Sequence, residues 1–294
     1  MTVDSEHGAP RKSFLLGIGA QKAGTSWLHR YLNSHPQVNM GFVKEYHIFD
    51  ALTIDEAYLK ERYLVARLRQ GEQVSATPID KTIALFLTNT QHYFDYFSHL
   101  LNSNKTCLLT GDITPSYSGL SASTMAKIRA EILARGLDMK VVFIMRDPVE
   151  RCISAMRMGL RNRGLHPSLE QEEHALRNLY ASRPYLMRTN YHATIANLEE
   201  VFPPNEIHYA FYEHLFNDQS MQKLTQFLGI NDEPADFEKT FNVSRTSNQI
   251  GTHLQREVAL HYTDVYHSLA SRFGEQNLPM NWQRQMSTLR TGVD

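Results

Sequence analysis

The sequence predicts an α/β fold, a single domain with a central parallel sheet flanked by helices. Three observations carry this. Apolar runs at Ser13 to Ile18, Cys107 to Gly111, Lys140 to Met145 and Ile207 to Tyr212 lack the alternation of a sheet with one wet face, as strands covered on both sides do. The segments between them carry helical patterns, and strands alternating with helices imply βαβ units. A glycine-bearing turn follows the first run directly, where open α/β sheets place their ligands.

The predicted helices, in chain order, are Gly24 to Asn33, Asp55 to Leu68, Gln91 to Leu101, Ser121 to Ala134, Val149 to Leu160, Tyr185 to Val201 and Ser220 to Leu228. From His253 to Phe273, Leu254, Val258, Leu260, Val265, Leu269 and Phe273 recur at roughly helical spacing, which predicts a helix docked on the core. Residues 157–191 are polar, Arg-rich and expected to be helical. They interrupt the rhythm of strand and helix and are expected to form a lid or insertion facing the substrate.

Composition bounds the function. The chain has 294 residues, 30 Lys+Arg against 31 Asp+Glu and a formal charge of -1, so a general polyanion binder is disfavoured and no nucleic-acid partner is expected. Its length supports one large domain with its own core. We expect residues 13–294 to form it, behind a flexible stretch 1–12. Cys107 and Cys152 are the only cysteines and make neither a disulfide framework nor a zinc set. The polar N-terminus precedes an apolar run, Phe14 to Ala20, that is too short to span a bilayer. A cytoplasmic protein without a membrane span is the expectation.

The turn Gly19-Ala20-Gln21-Lys22-Ala23-Gly24-Thr25-Ser26-Trp27-Leu28 is P-loop-like. Between a strand and a helix such a turn aims backbone N–H groups at one point, where the helix dipole adds about half a positive charge. That point suits an anion. A nucleoside-triphosphatase loop carries lysine after its second glycine, whereas Thr25 stands there in this chain and the lysine comes earlier, at Lys22. The displacement disfavours a triphosphate. Further along, Arg146-Asp147-Pro148-Val149-Glu150-Arg151-Cys152-Ile153-Ser154 places an arginine at a strand end, a proline at the first helical position and a serine about two turns on. Arg146 and Ser154 can converge on one phosphate; read alone, Arg146 serves equally as an ion-pair partner of Asp147 or Glu150.

Gln21 to Leu28 resembles the 5′-phosphosulfate loop of the sulfotransferase family, Lys-x-Gly-Thr-Thr/Ser-x-Leu. The Arg146 segment is similar to that family's 3′-phosphate motif, Arg-Asp-Pro-x-Glu-Arg-x-x-Ser, at every fixed position. Lys44-Glu45-Tyr46-His47-Ile48-Phe49-Asp50 resembles Lys-Glu-x-His-Phe-Phe-Asp of heparan-type and related bacterial members. Gly111-Asp112-Ile113-Thr114-Pro115-Ser116-Tyr117 resembles Gly-Glu-Lys-Thr/Ser-Pro-x-Tyr, with Asp112 for glutamate and Ile113 for the lysine of heparan-modifying members. Tyr209 to Leu215 and Phe227 to Ile230 look like a structural signature of the same family, and a weaker similarity extends through Asn242 to Arg245.

The resemblance implies a sulfotransferase that moves a sulfonyl group from 3′-phosphoadenosine 5′-phosphosulfate (PAPS) to a hydroxyl or amine of a small-molecule, carbohydrate or lipid acceptor. It implies Glu45 as general base, assisted by His47, with Lys22 at the leaving group. It further implies a donor site of Lys22, Ala23, Gly24, Thr25, Ser26, Trp27, Arg146 and Ser154. No metal is expected, because the migrating group carries less charge than a phosphoryl group. Two alternatives remain open at this level: a magnesium-dependent P-loop kinase, and a non-catalytic nucleotide-binding protein of the same fold.

Overall fold

A computed structural model describes residues 11–54, 77–238 and 249–290. The predicted helix Asp55 to Leu68, nearly all of residues 1–12 and the Asn242 to Arg245 similarity lie outside them. Five strands form one parallel sheet: β1 (Ser13–Gly19), β2 (Val38–Asn39), β3 (Leu109–Ile113), β4 (Asp138–Met145) and β5 (Ile207–Phe211), in the order β2-β3-β1-β4-β5. Every residue of β1 and β3 is buried, which explains their unbroken apolar character.

The helices are α1 (Thr25–Ser34), α2 (Phe49–Thr53), α3 (Pro78–Thr88), α4 (Gln91–Ser103), α5 (Ala122–Ala134), α6 (Pro148–Asn162), α7 (Leu169–Leu179), α8 (Arg183–Thr189), α9 (Tyr191–Val201), α10 (Asp218–Leu228), α11 (Thr252–His261), α12 (Thr263–Phe273) and α13 (Met280–Arg290). Helix α4 packs against β3, and α5 against β4 and α9. Around Phe14, the rings of Tyr46, Phe49, Tyr93 and Phe97 make edge-on contacts that lock one side of the sheet. No helix among the described residues is long and apolar enough to cross a membrane.

Several boundaries differ from the sequence expectation, each for a local reason. Strand β3 runs on past Gly111 to Ile113, because three hydroxyl groups solvate the Asp112 carboxylate inside the core. Strand β5 stops at Phe211, and Tyr212 opens a 3₁₀ turn, Tyr212–His214. The expected helix Tyr185 to Val201 is two helices, divided where Asn190 leaves the helical region at ψ 66. The C-terminal helix is likewise divided at Tyr262, whose N–H is shared between the Val258 and Ala259 carbonyls. Helix α7 falls within the helical stretch expected over residues 157–191, whereas α3 was not anticipated; both open on a capping box, Ser168 with Gln171 and Thr77 with Asp80, a signal readable in sequence.

Candidate active site

All five strands point their carboxyl ends at one cavity of about 680 Å³. Its lining includes Lys22, Thr25 and Ser26 after β1, Lys44, Glu45 and His47 after β2, Pro115 and Ser116 after β3, Arg146 and Ser154 after β4, and Tyr212 after β5. Strand β1 is central: the chain passes from it to β2 and then β3 on one side, and from β3 crosses over β1 to β4 and β5 on the other. The cavity therefore lies where a parallel sheet binds ligands.

The first loop is shaped by backbone conformation. Gly19 has φ 130, and a Cβ there would lie 2.8 Å from the Pro115 carbonyl oxygen; Gly24 has φ 83 and precedes the first turn of α1. Lys22 adopts φ 71 and His47 φ 54, and among the described residues no other non-glycine side chain stands on a positive φ. Each costs about 1 kcal/mol or more, and both line the cavity. Among the described residues, the Lys22 ammonium touches only a weak acceptor, Met158 Sδ at 3.6 Å. Burial lowers its pKa to about 8, helped by the positive charges of Arg161, Arg146 and Lys44. A desolvated ammonium among cations is a site short of negative charge. Ala23 is fully buried and offers packing beneath the loop. Trp27 reaches the cavity and stacks on Phe237 at 5.7 Å, with Phe216 edge-on at 5.2 Å.

Arg146 leaves β4 over the ring of Tyr212, 4.5 Å from its centroid. Its Nη1 donates to the Lys22 carbonyl at 3.0 Å, its Nη2 lies 3.4 Å from Glu150, and its buried Nε has no hydrogen-bond partner among the described residues. Both earlier readings of this arginine are thus partly visible: it has a carboxylate neighbour at the helix start, and it also faces the cavity. Ser154, half-buried on α6, lines the same wall. Pro148 occupies the first turn of α6, as the spacing predicts, and Asp147 caps that helix, accepting from Glu150 N.

On the opposite wall, Glu45 is ion-paired with Lys44 and lies 3.2 Å from His47 Nε2. His47 Nδ1 donates to Asp50 Oδ2 at 2.7 Å, and Ser116 Oγ donates to the same carboxylate. Burial alone would raise the Glu45 pKa, but the His47 bond and the Lys44 charge overcome it and hold Glu45 down at about 2. Burial likewise works against the His47 proton, yet Asp50 and Glu45 together push its pKa up to about 10. The pair is a carboxylate and an imidazolium throughout the neutral range.

Asp50 and Ser116 were missed in the sequence; His47-x-x-Asp50 spacing was the available signal. Asp112, read only as a departure from a motif, is a buried hub. It accepts from Thr114 Oγ1, Tyr117 OH and Tyr93 OH at 2.6, 2.8 and 3.0 Å. Thr114 in turn accepts from Tyr46 N, and Tyr117 OH from Ile48 N. The residues on either side of His47 are thereby tied to one core carboxylate, whose pKa burial raises to about 6.

Residues 157–191 supply Arg157, Met158 and Arg188 to the cavity wall. Arg157 is held by the buried Glu172, with Nη2 2.9 Å from Oε2, whereas Arg161 and Arg163 are exposed. No group of three or more His, Cys, Asp or Glu side chains that could hold a metal ion occurs among the described residues.

The sheet order and this cavity define an α/β protein of P-loop-like design, with nucleotide-binding character at its strand ends. The chain belongs to the sulfotransferase family, whose model matches residues 15–234. A sulfotransferase from Alicyclobacillus acidocaldarius has the same fold, with a TM-score of 0.58 at 19% identity over 93% of this chain and 99% of that one. Also similar are the sulfotransferase domain of the Synechococcus PCC 7002 olefin synthase (TM-score 0.44, 14% identity, 88% and 96% of the two chains) and the sulfotransferase domain of the curacin biosynthetic pathway (0.44, 18%, 96% and 98%). No curated protein sequence matches the chain.

Proposed function

We propose that this sulfotransferase takes its sulfonyl group from PAPS and delivers it to an acceptor hydroxyl or amine bound beside Glu45. The observation that carries this reading is one cavity lined at once by the Lys22 loop, by Arg146 with Ser154, and by a carboxylate cluster. A nucleotide phosphorylated at both 3′ and 5′ positions needs two phosphate sites. The unmatched Arg146 Nε and the charge-starved Lys22 fit that donor. Trp27, Phe216 and Phe237 offer a base the flat apolar contacts it stacks on.

In this mechanism Lys22 and the N–H groups at the start of α1 meet the charge that grows on the leaving phosphate oxygen. Arg146 and Ser154 fix the nucleotide in register. Glu45 accepts the hydrogen bond of the incoming nucleophile and takes its proton. Held at about 2, Glu45 is a weak base, so the proton moves as the new S–O or S–N bond acidifies the acceptor. His47, kept protonated by Asp50, orients that carboxylate.

Calorimetric titration with 3′,5′-bisphosphoadenosine (PAP) and with ATP plus magnesium tests the donor class. PAP is expected to bind in the micromolar range or better and ATP far more weakly; the reverse order would favour a kinase and overturn the proposal. Incubation with radiolabelled PAPS and a panel of sugar, lipid and small-metabolite alcohols and amines then identifies the acceptor.

The Lys22 environment makes a pH prediction. With the free-enzyme pKa lowered to about 8, the lysine is partly neutral at mildly alkaline pH. Bound phosphate favours the charged form and raises that pKa. PAP affinity should therefore fall as pH rises through about 8, and binding just above it should take up a proton. Titrations in buffers of different ionisation enthalpy measure the uptake. Lys22→Met should abolish it; unchanged uptake in that variant would place the titrating group elsewhere.

A further inference from the structure

The turn after β5 reaches the cavity wall through Tyr212, and the proposed chemistry leaves the turn without a task. Its Glu213 stands behind Tyr212, the residue beneath Arg146. Glu213 Oε1 accepts from the backbone N–H of Asp147 at 3.0 Å, so it grips the peptide that follows Arg146. The same carboxylate is held from the other side by α13, where Asn281 Nδ2 donates to Oε1 at 3.1 Å and Trp282 Nε1 to Oε2 at 3.2 Å. Both donors lie beyond residue 234, the end of the family match.

Two further hydroxyls converge on the same two residues. Tyr191 OH donates to the Arg146 carbonyl at 2.8 Å, and Tyr266 OH of α12 donates to Asp147 Oδ2 at 2.9 Å. Trp282 is fully buried, and its ring contacts those of Phe211, Tyr266 and Tyr191 at 5.4, 5.6 and 6.2 Å. A packing role alone would need the rings and not the polar tips. Here the tyrosine tips end on residues 146 and 147 and the indole tip on Glu213, and Arg146 lines the cavity.

We infer that Glu213, clamped by Asn281 and Trp282 of the C-terminal helix, is a positioning residue that sets the Arg146 guanidinium for the 3′-phosphate of the donor. The inference rests on Arg146 as the 3′-phosphate ligand. Fixing the Asp147 peptide fixes the end of β4, and fixing Glu213 holds the neighbouring Tyr212 ring on which the guanidinium lies. A guanidinium fork rewards such alignment, because both of its bonds depend on one plane.

The test compares PAP with adenosine 5′-phosphate, which lacks the 3′-phosphate, by calorimetry on the full chain, with melting curves recorded alongside. Wild type should prefer PAP. Glu213→Ala should reduce the ratio of the two affinities at least tenfold, with adenosine 5′-phosphate binding almost unchanged. Should Glu213→Ala fail to fold, the double variant Asn281→Ala/Trp282→Phe removes both donors while keeping an aromatic ring, and should reduce the ratio at least threefold. Loss of stability alone does not alter that ratio. A wild-type preference for PAP that survives in the variants overturns the clamp and leaves the donor assignment standing. A wild type that binds both nucleotides equally overturns the 3′-phosphate assignment, and the clamp with it.

Discussion

Glu45→Gln is expected to slow sulfonyl transfer by about 10²- to 10⁴-fold, the range that a positioned general base supplies, with PAP affinity within about twofold of wild type. The amide matches the carboxylate in shape and keeps one acceptor oxygen for His47 or Lys44. It cannot take a proton at any working pH. The donor side is untouched, because Lys22, Arg146 and Ser154 lie on other elements of the cavity wall. The Asp50 and Ser116 bonds to His47 also survive. Initial rates with radiolabelled PAPS and the acceptor found in the panel, beside PAP calorimetry, check the split. A Glu45→Gln enzyme turning over within threefold of wild type would remove Glu45 from the chemistry.

The same residues show what a sequence discloses and what it hides. Gly24, Thr25, Ser26, Arg146 and Pro148 were legible because their task depends on neighbours in sequence: a left-handed glycine before a helix, hydroxyls in its first turn, a proline where an N–H has no partner. The parallel sheet was legible because burial on both faces erases alternation in β1 and β4. Asp112 was not legible, since a carboxylate after an apolar run ordinarily marks the strand end. It stays within β3 because Thr114 and Tyr117, together with Tyr93 from the distant helix α4, each donate a hydroxyl to it. Ser116 joins Asp50 across 66 positions, and Glu213 joins Trp282 across 69. No local pattern records pairings of that kind; they follow from the sheet order that folds five strand ends into one cavity. The division at Asn190 was hidden for the same reason, because it serves the reach of Tyr191 to the Arg146 carbonyl.

Arg146→Ala should weaken PAP binding by about 30- to 100-fold, corresponding to about 2–3 kcal/mol for lost charge-assisted hydrogen bonds. Two effects combine in that figure. The 3′-phosphate loses its guanidinium, and the Lys22 carbonyl loses the Nη1 donor at 3.0 Å that ties the β4 corner to the first loop. Arg146→Lys separates them. Lysine restores a point charge over the Tyr212 ring but has no fork with which to hold phosphate and carbonyl together, so its affinity should fall between those of alanine and wild type. Adenosine 5′-phosphate distinguishes the contributions further, because it senses the loop and not the 3′ site. Its binding should weaken only slightly in either variant, and calorimetry of both nucleotides against all three proteins measures this directly. An Arg146→Ala protein that bound PAP as tightly as wild type would move the 3′-phosphate away from β4 and leave Arg146 as a support of the Lys22 loop alone.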